Sequence, residues 1–66
     1  MGNPATTIHL SAPDLALRWR VTVGHLANER SAGRGPAYLK LGGRVVYRLA
    51  DVEDYEERSR IAGSAA

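Results

Sequence analysis

No cysteine occurs anywhere in the chain, which excludes a disulfide framework, a thiolate metal site and thiol chemistry together. No apolar run approaches the roughly 18 residues of a membrane span, and the N-terminus lacks the charged and apolar regions of a signal peptide. A soluble protein of the cytoplasm is therefore expected. Residues themselves are few: 66 of them allow one small core, since a chain of this size buries only about 60% of its unfolded surface. A composition of 44% hydrophobic and 24% charged residues fits one folded domain and is too apolar for full disorder. Met1-Gly2-Asn3-Pro4-Ala5-Thr6 meets a loose myristoylation pattern. Pro4 follows closely, however, and residues 1–9 read as a flexible leader.

Acidic charge is scarce where basic charge is dense. From Arg18 to Arg48, seven basic residues face Glu29 alone, a net +6. From Leu49 onward, Asp51, Glu53, Asp54, Glu56 and Glu57 face Arg58 and Arg60, a net −3. A basic middle followed by an acidic end suggests a polyanion-binding surface and a separate face turned elsewhere.

Local signals place three helices and one hairpin. Ser11 can cap a helix whose Asp14 completes a capping box and whose Pro13 fits the first turn. Leu10 and Leu15 have the spacing of a hydrophobic staple. This first helix runs to about Trp19, with Leu15, Ala16 and Trp19 on one face. After a turn at Arg20-Val21, Thr22 caps a second helix that must stop by Gly33. At 100° per residue, Val23, Leu26, Ala27 and the stem of Arg30 fall on one side of it, and Gly24, His25 and Asn28 on the other. Tyr38–Leu41 and Val45–Tyr47 are strand formers around Gly42-Gly43. A two-residue loop pairs Leu41 with Arg44; a three-residue loop through Arg44 aligns Leu39, Leu41, Val45 and Tyr47. The second register buries more apolar surface and is preferred. Asp51–Arg60 forms the third helix, its charges arranged to suit the helix dipole, and residues 62–66 form a frayed tail.

Helix, short turn, helix and basic hairpin is the plan of a winged helix-turn-helix. Leu10-Ser11, Val21-Thr22 and the run Gly33-Arg34-Gly35-Pro36-Ala37-Tyr38-Leu39-Lys40-Leu41-Gly42-Gly43-Arg44-Val45-Val46-Tyr47-Arg48-Leu49-Ala50-Asp51-Val52 resemble the small phage and plasmid excisionase and AlpA-like DNA-binding proteins, relatives of the MerR winged-helix group. The resemblance spans about residues 10 to 57, and its specific part is the wing segment from Gly35 into Asp51-Val52. It implies an α+β fold over residues 10–61, with two N-terminal helices, a two-stranded wing and a C-terminal helix. The family turn usually carries Gly where this chain has Arg20, which alters the turn or adds a phosphate contact. The family often has an apolar or aromatic residue at the place of Glu29, so Trp19 is the expected centre of a rearranged core.

On this plan Thr22 caps the second helix and can meet a phosphate as well. Asn28 can bond adenine at N6 and N7 together, and His25 can donate to a base edge. Gly24 permits close approach. Glu29 could accept from cytosine N4, although exposure or pairing with Arg30 explains it more simply. Arg18, Arg20, Arg30, Arg34, Lys40 and Arg48 suit phosphates, and Arg44 at the wing tip suits a minor groove. Tyr38, Tyr47 and Trp19 read as core residues.

Catalysis has no support. His9, His25, Asp14 and the serines lie in no triad motif, and two histidines without cysteines make no zinc signature. Gly33-Arg34-Gly35 and Gly42-Gly43 lack the lysine and strand–helix context of a phosphate loop. Neither metal nor cofactor is expected. What the resemblance implies is an accessory protein for double-stranded DNA. The first expectation is an excisionase that binds tandem sites, bends DNA and directs an integrase toward excision. A small transcriptional regulator is the alternative within the class, and a protein-interaction module using the acidic third helix is the alternative outside it. The basic segment and acidic helix also allow head-to-tail contact between copies on DNA.

Overall fold

The computed structural model describes residues 7–63. Its elements are β1 (His9–Ser11), α1 (Ala12–Trp19), α2 (Val23–Ser31), β2 (Leu39–Leu41), β3 (Arg44–Arg48) and α3 (Leu49–Ser59). The class is α+β, as expected. No helix among the described residues is long and apolar enough to cross a membrane.

Capping chemistry starts both early helices where the sequence places them. Ser11 Oγ accepts from the Asp14 N–H at 3.1 Å, while the Asp14 carboxylate accepts from the Ser11 N–H at 3.0 Å. Those backbone and hydroxyl bonds hold the Asp14 carboxyl below its ordinary value. Thr22 Oγ1 accepts from the His25 N–H at 2.9 Å.

The two helices also end by one device. The Arg34 N–H reaches the Glu29 carbonyl and the Gly33 N–H reaches that of Arg30, with Gly33 at φ 74°. The Val21 N–H reaches the Ala16 carbonyl and the Arg20 N–H that of Leu17, with Arg20 at φ 59°. Each is a Schellman closure, whose left-handed residue is usually glycine. The α1–α2 turn therefore keeps the glycine geometry while carrying an arginine. We expect Arg20→Gly to stabilise the fold by about 0.5–1 kcal/mol, the relief of the left-handed Cβ exceeding the entropy glycine adds to the unfolded chain. Thermal melting checks this; a lower melting temperature would show that the arginine side chain stabilises the turn.

Three features of the sheet differ from expectation. It has three antiparallel strands in the order β1-β3-β2, not two. His9, assigned to the leader, pairs with Arg48, and Leu10 pairs with Tyr47. The hairpin also takes the two-residue loop: Leu41 faces Arg44, Lys40 faces Val45 and Leu39 faces Val46. Gly42 and Gly43 both have positive φ, 57° and 82°, the type I′ geometry whose twist matches that of paired strands. Turn chemistry thus overrides the apolar count. Residues alternate between faces, so Leu10, Val45 and Tyr47 turn toward the helices, leaving Leu39, Leu41, Val46 and Arg44 on the opposite face.

Leu15, Ala16, Leu26, Tyr47 and Val52 form the core, with Leu10, Ala12, Trp19, Val21 and Val45 packed around them. Tyr47, not Trp19, is the largest fully buried side chain. Trp19 lies at the margin because its indole N–H needs a polar partner, which it finds in Glu56 at 2.6 Å. Tyr38 is likewise outside the core, 44% exposed, as is Val23. Val23 opens α2 one turn before Leu26 enters the core, so the apolar side of the helix begins later than its spacing implies. Helix α3 starts at Leu49 rather than Asp51, because the Leu49 N–H is taken by the Ile8 carbonyl at 2.9 Å. The tail residues Ala62 and Gly63 are exposed and non-helical; residues 64–66 and the myristoylation pattern at 1–6 lie outside the described residues.

Candidate nucleic-acid interface

The outer side of α2 carries nothing that the fold itself uses. Gly24, His25 and Asn28 are all exposed, and neither the His25 nor the Asn28 side chain makes a hydrogen bond among the described residues. A Cβ at Gly24 would meet only Thr22 Oγ1, at 3.9 Å. A small residue there leaves the neighbouring histidine and asparagine accessible to a surface laid along the helix.

The seven basic residues of the middle segment divide into two kinds. Three are occupied by the fold. Arg18 grips Glu56 with both Nε and Nη2, at 2.7 and 2.8 Å, tying α1 to α3. Arg34 pairs with Glu29 at 3.3 Å, in place of the expected pairing of Glu29 with Arg30. Arg30 donates from Nη1 to the Tyr47 hydroxyl at 2.6 Å. The other four, Arg20, Lys40, Arg44 and Arg48, form no ion pair among the described residues. Arg20 stands in the turn before α2; Lys40, Arg44 and Arg48 stand on the hairpin. All four are exposed.

Acidic charge is disposed the other way. Asp54 pairs with Arg58 and Glu57 with Arg60 along α3, whereas Asp51 and Glu53 form no ion pair among the described residues. Uncompensated positive charge is therefore gathered around α2 and the hairpin, and uncompensated negative charge on α3.

Glu56 organises the boundary between these regions. The two Arg18 bonds, then the Trp19 N–H, pull its carboxyl from the ordinary 4.5 to about 2. A carboxyl whose value falls on folding stabilises the fold above its unfolded value and loses that contribution as pH falls through the folded one. Acid should therefore loosen the α1–α3 tie between pH 4.5 and about 2. Glu56→Gln should reduce the pH dependence in that window, with the capping carboxyl of Asp14 supplying the remainder, read by melting at a series of acidic pH values. An unchanged acid profile would show that Glu56 is not the titrating group. Its side chain is 34% exposed, so solvent screens part of the interaction.

Two features at this surface escape sequence reasoning. Tyr38 is exposed beside Arg30, whose guanidinium lies 5.7 Å from its ring centroid; only the correct register puts Tyr38 on the Lys40 and Tyr47 side. His9 is brought opposite Arg48 by β1, a strand of three residues that has no periodicity to detect. No family model, curated protein or solved structure matches the chain.

Proposed function

We propose that the chain binds double-stranded DNA as a winged helix-turn-helix, with α2 in the major groove and the β2–β3 hairpin as the wing. One observation carries the reading: the small, polar outer face of α2 has no internal role, and the turn before α2 and the hairpin carry four exposed cations that have no carboxylate partner among the described residues. His25 and Asn28 have the donors and acceptors to read base edges. Arg20 and Lys40 suit phosphates beside them, and Arg44, next to the Gly42-Gly43 turn, suits the adjacent minor groove. Arg18, Arg30 and Arg34 serve chiefly to hold the frame.

Within this class the reading is an excisionase acting in a bacterial host cell. It occupies tandem sites at an attachment junction, bends the DNA and steers an integrase without breaking a bond itself. A single module of this size buries about 600–1,000 Å² on DNA, so neighbouring copies must share binding energy. The cationic hairpin and the uncompensated acids of α3 are complementary in sign for such head-to-tail contact.

The test is binding to a selected duplex and to random duplex by fluorescence anisotropy. Asn28→Ala and His25→Ala should each lose about 1–3 kcal/mol on the selected site and little on the random one. If both variants keep full specific affinity, α2 is not the reader. A footprint then separates the roles: repeated protected sites at an attachment junction support excisionase. One palindromic promoter operator, occupied by a stable dimer, moves the assignment to transcriptional regulator. No duplex binding at all leaves the acidic α3 and a protein partner.

A further inference from the structure

Arg30 differs from every other arginine of the basic segment. It sits on α2 but spends its guanidinium on the hairpin: Nη1 donates to the Tyr47 hydroxyl at 2.6 Å, and the group lies 5.7 Å from the Tyr38 ring centroid and 6.0 Å from that of Tyr47. The two rings are themselves 6.2 Å apart at 55°. Tyr38 leads into β2 and Tyr47 belongs to β3, so one side chain of α2 is held by both strands of the wing. No carboxylate shares it among the described residues. Its positive charge is directed by two aromatic faces and a neutral oxygen, which fix orientation without cancelling the charge.

Resting on the DNA-binding reading above, we propose that Arg30 is a positioning residue, the joint that sets the distance and angle between the reading face of α2 and the wing tip. DNA presents its major-groove edges and its neighbouring minor groove at a fixed separation. His25 and Asn28 can engage the first while Arg44 engages the second only if helix and hairpin keep one relative placement. The core supplies part of that rigidity through Leu26 and Tyr47. The planar fork of Arg30 supplies the part nearest the surface, where Tyr38 is exposed and, among the described residues, no other side chain bridges the two elements by a hydrogen bond.

A joint and a phosphate contact make opposite demands on a charge-conserving variant. Arg30→Lys keeps the positive charge but loses the planar fork. Tyr47→Phe keeps the ring but loses the hydroxyl. For a joint, each variant weakens the selected duplex about fivefold, the scale of one hydrogen bond. Random-duplex affinity and salt dependence stay unchanged, and the double variant is no worse than the weaker single one. If Arg30→Lys instead lowers both duplexes equally, or leaves both untouched, the proposal is overturned.

The absence of cysteine supplies a readout that needs no DNA. Nitroxide labels on an Asn28→Cys, Arg44→Cys protein report the distance between helix face and wing tip in the free chain. The parent should give one narrow distribution, and Arg30→Lys or Tyr47→Phe a broadened one. An identical distribution in both variants overturns the joint. A parent that broadens on substitution yet binds no duplex keeps the joint and overturns the DNA-binding reading. Should either variant fail to fold by circular dichroism, Tyr38→Leu, at a half-exposed ring, removes one aromatic face and carries the same expectation.

Discussion

Tyr47→Ala is expected to unfold most of the protein at room temperature. The side chain is 1% exposed and is the largest of the fully buried ones. Removing a buried aromatic ring typically costs about 3–5 kcal/mol, part transfer and part cavity. Stability of roughly 0.05–0.15 kcal/mol per residue leaves a domain of this size little beyond that. The deletion also strands the Arg30 donor and removes the partner that Leu10 packs beside across β1 and β3. Tyr47→Phe keeps the ring and should lose only about 0.5–1.5 kcal/mol, the ordinary net value of one hydrogen bond. Far-UV circular dichroism and melting of the pair decide the matter. A Tyr47→Ala protein melting within a few degrees of its parent would mean that the core is centred elsewhere.

Raising salt fourfold should cost about two orders of magnitude in duplex affinity. Each phosphate neutralised contributes about −0.9 to the slope of log K against log salt. The four exposed cations of the segment without a carboxylate partner among the described residues, Arg20, Lys40, Arg44 and Arg48, give a slope of about −3.6, hence a loss of about 100-fold. Counting all seven basic residues of the middle segment would give about −6.3 and a loss of about 6,000-fold. The two counts are far enough apart for a titration to choose between them. A slope near −6 would mean that Arg18, Arg30 and Arg34 leave Glu56, Tyr47 and Glu29 when DNA arrives. A slope near zero would exclude this surface as the site.

That difference also marks how far the chain can be read from its letters. The capping residues Ser11, Asp14 and Thr22 act on groups three residues away, so their roles are local and legible. The outward set Gly24, His25 and Asn28 follows from helical spacing alone. Ion pairs are another matter. Arg18 and Glu56 are far apart in the chain and meet only because the fold brings α3 within side-chain reach of α1, and nothing in the run of charges says which arginine will be taken. The hairpin register fails for a different reason. Aligning Leu39, Leu41, Val45 and Tyr47 maximises apolar burial on paper, but two consecutive glycines favour the tight turn, and Leu41 is left 51% exposed as a result. The third strand is illegible because three residues carry no pattern and their partner lies at the other end of the domain.

That third strand sets an order of events during synthesis. β1 leaves the ribosome before the other described elements, yet among the described residues it pairs only with β3. While α1 and α2 can close on contacts already made, Leu10 must wait, unpaired, for Tyr47 to emerge. Closing so large a loop comes late, since its entropy is lost before the distant pairing can offset it. Until then the apolar edge of the first segment is open to any other unfinished chain, so the vulnerable moment in this protein's life is its nascent one. The sheet closes only once Arg48 is free to pair with His9, and the core only once Val52 of α3 has followed it.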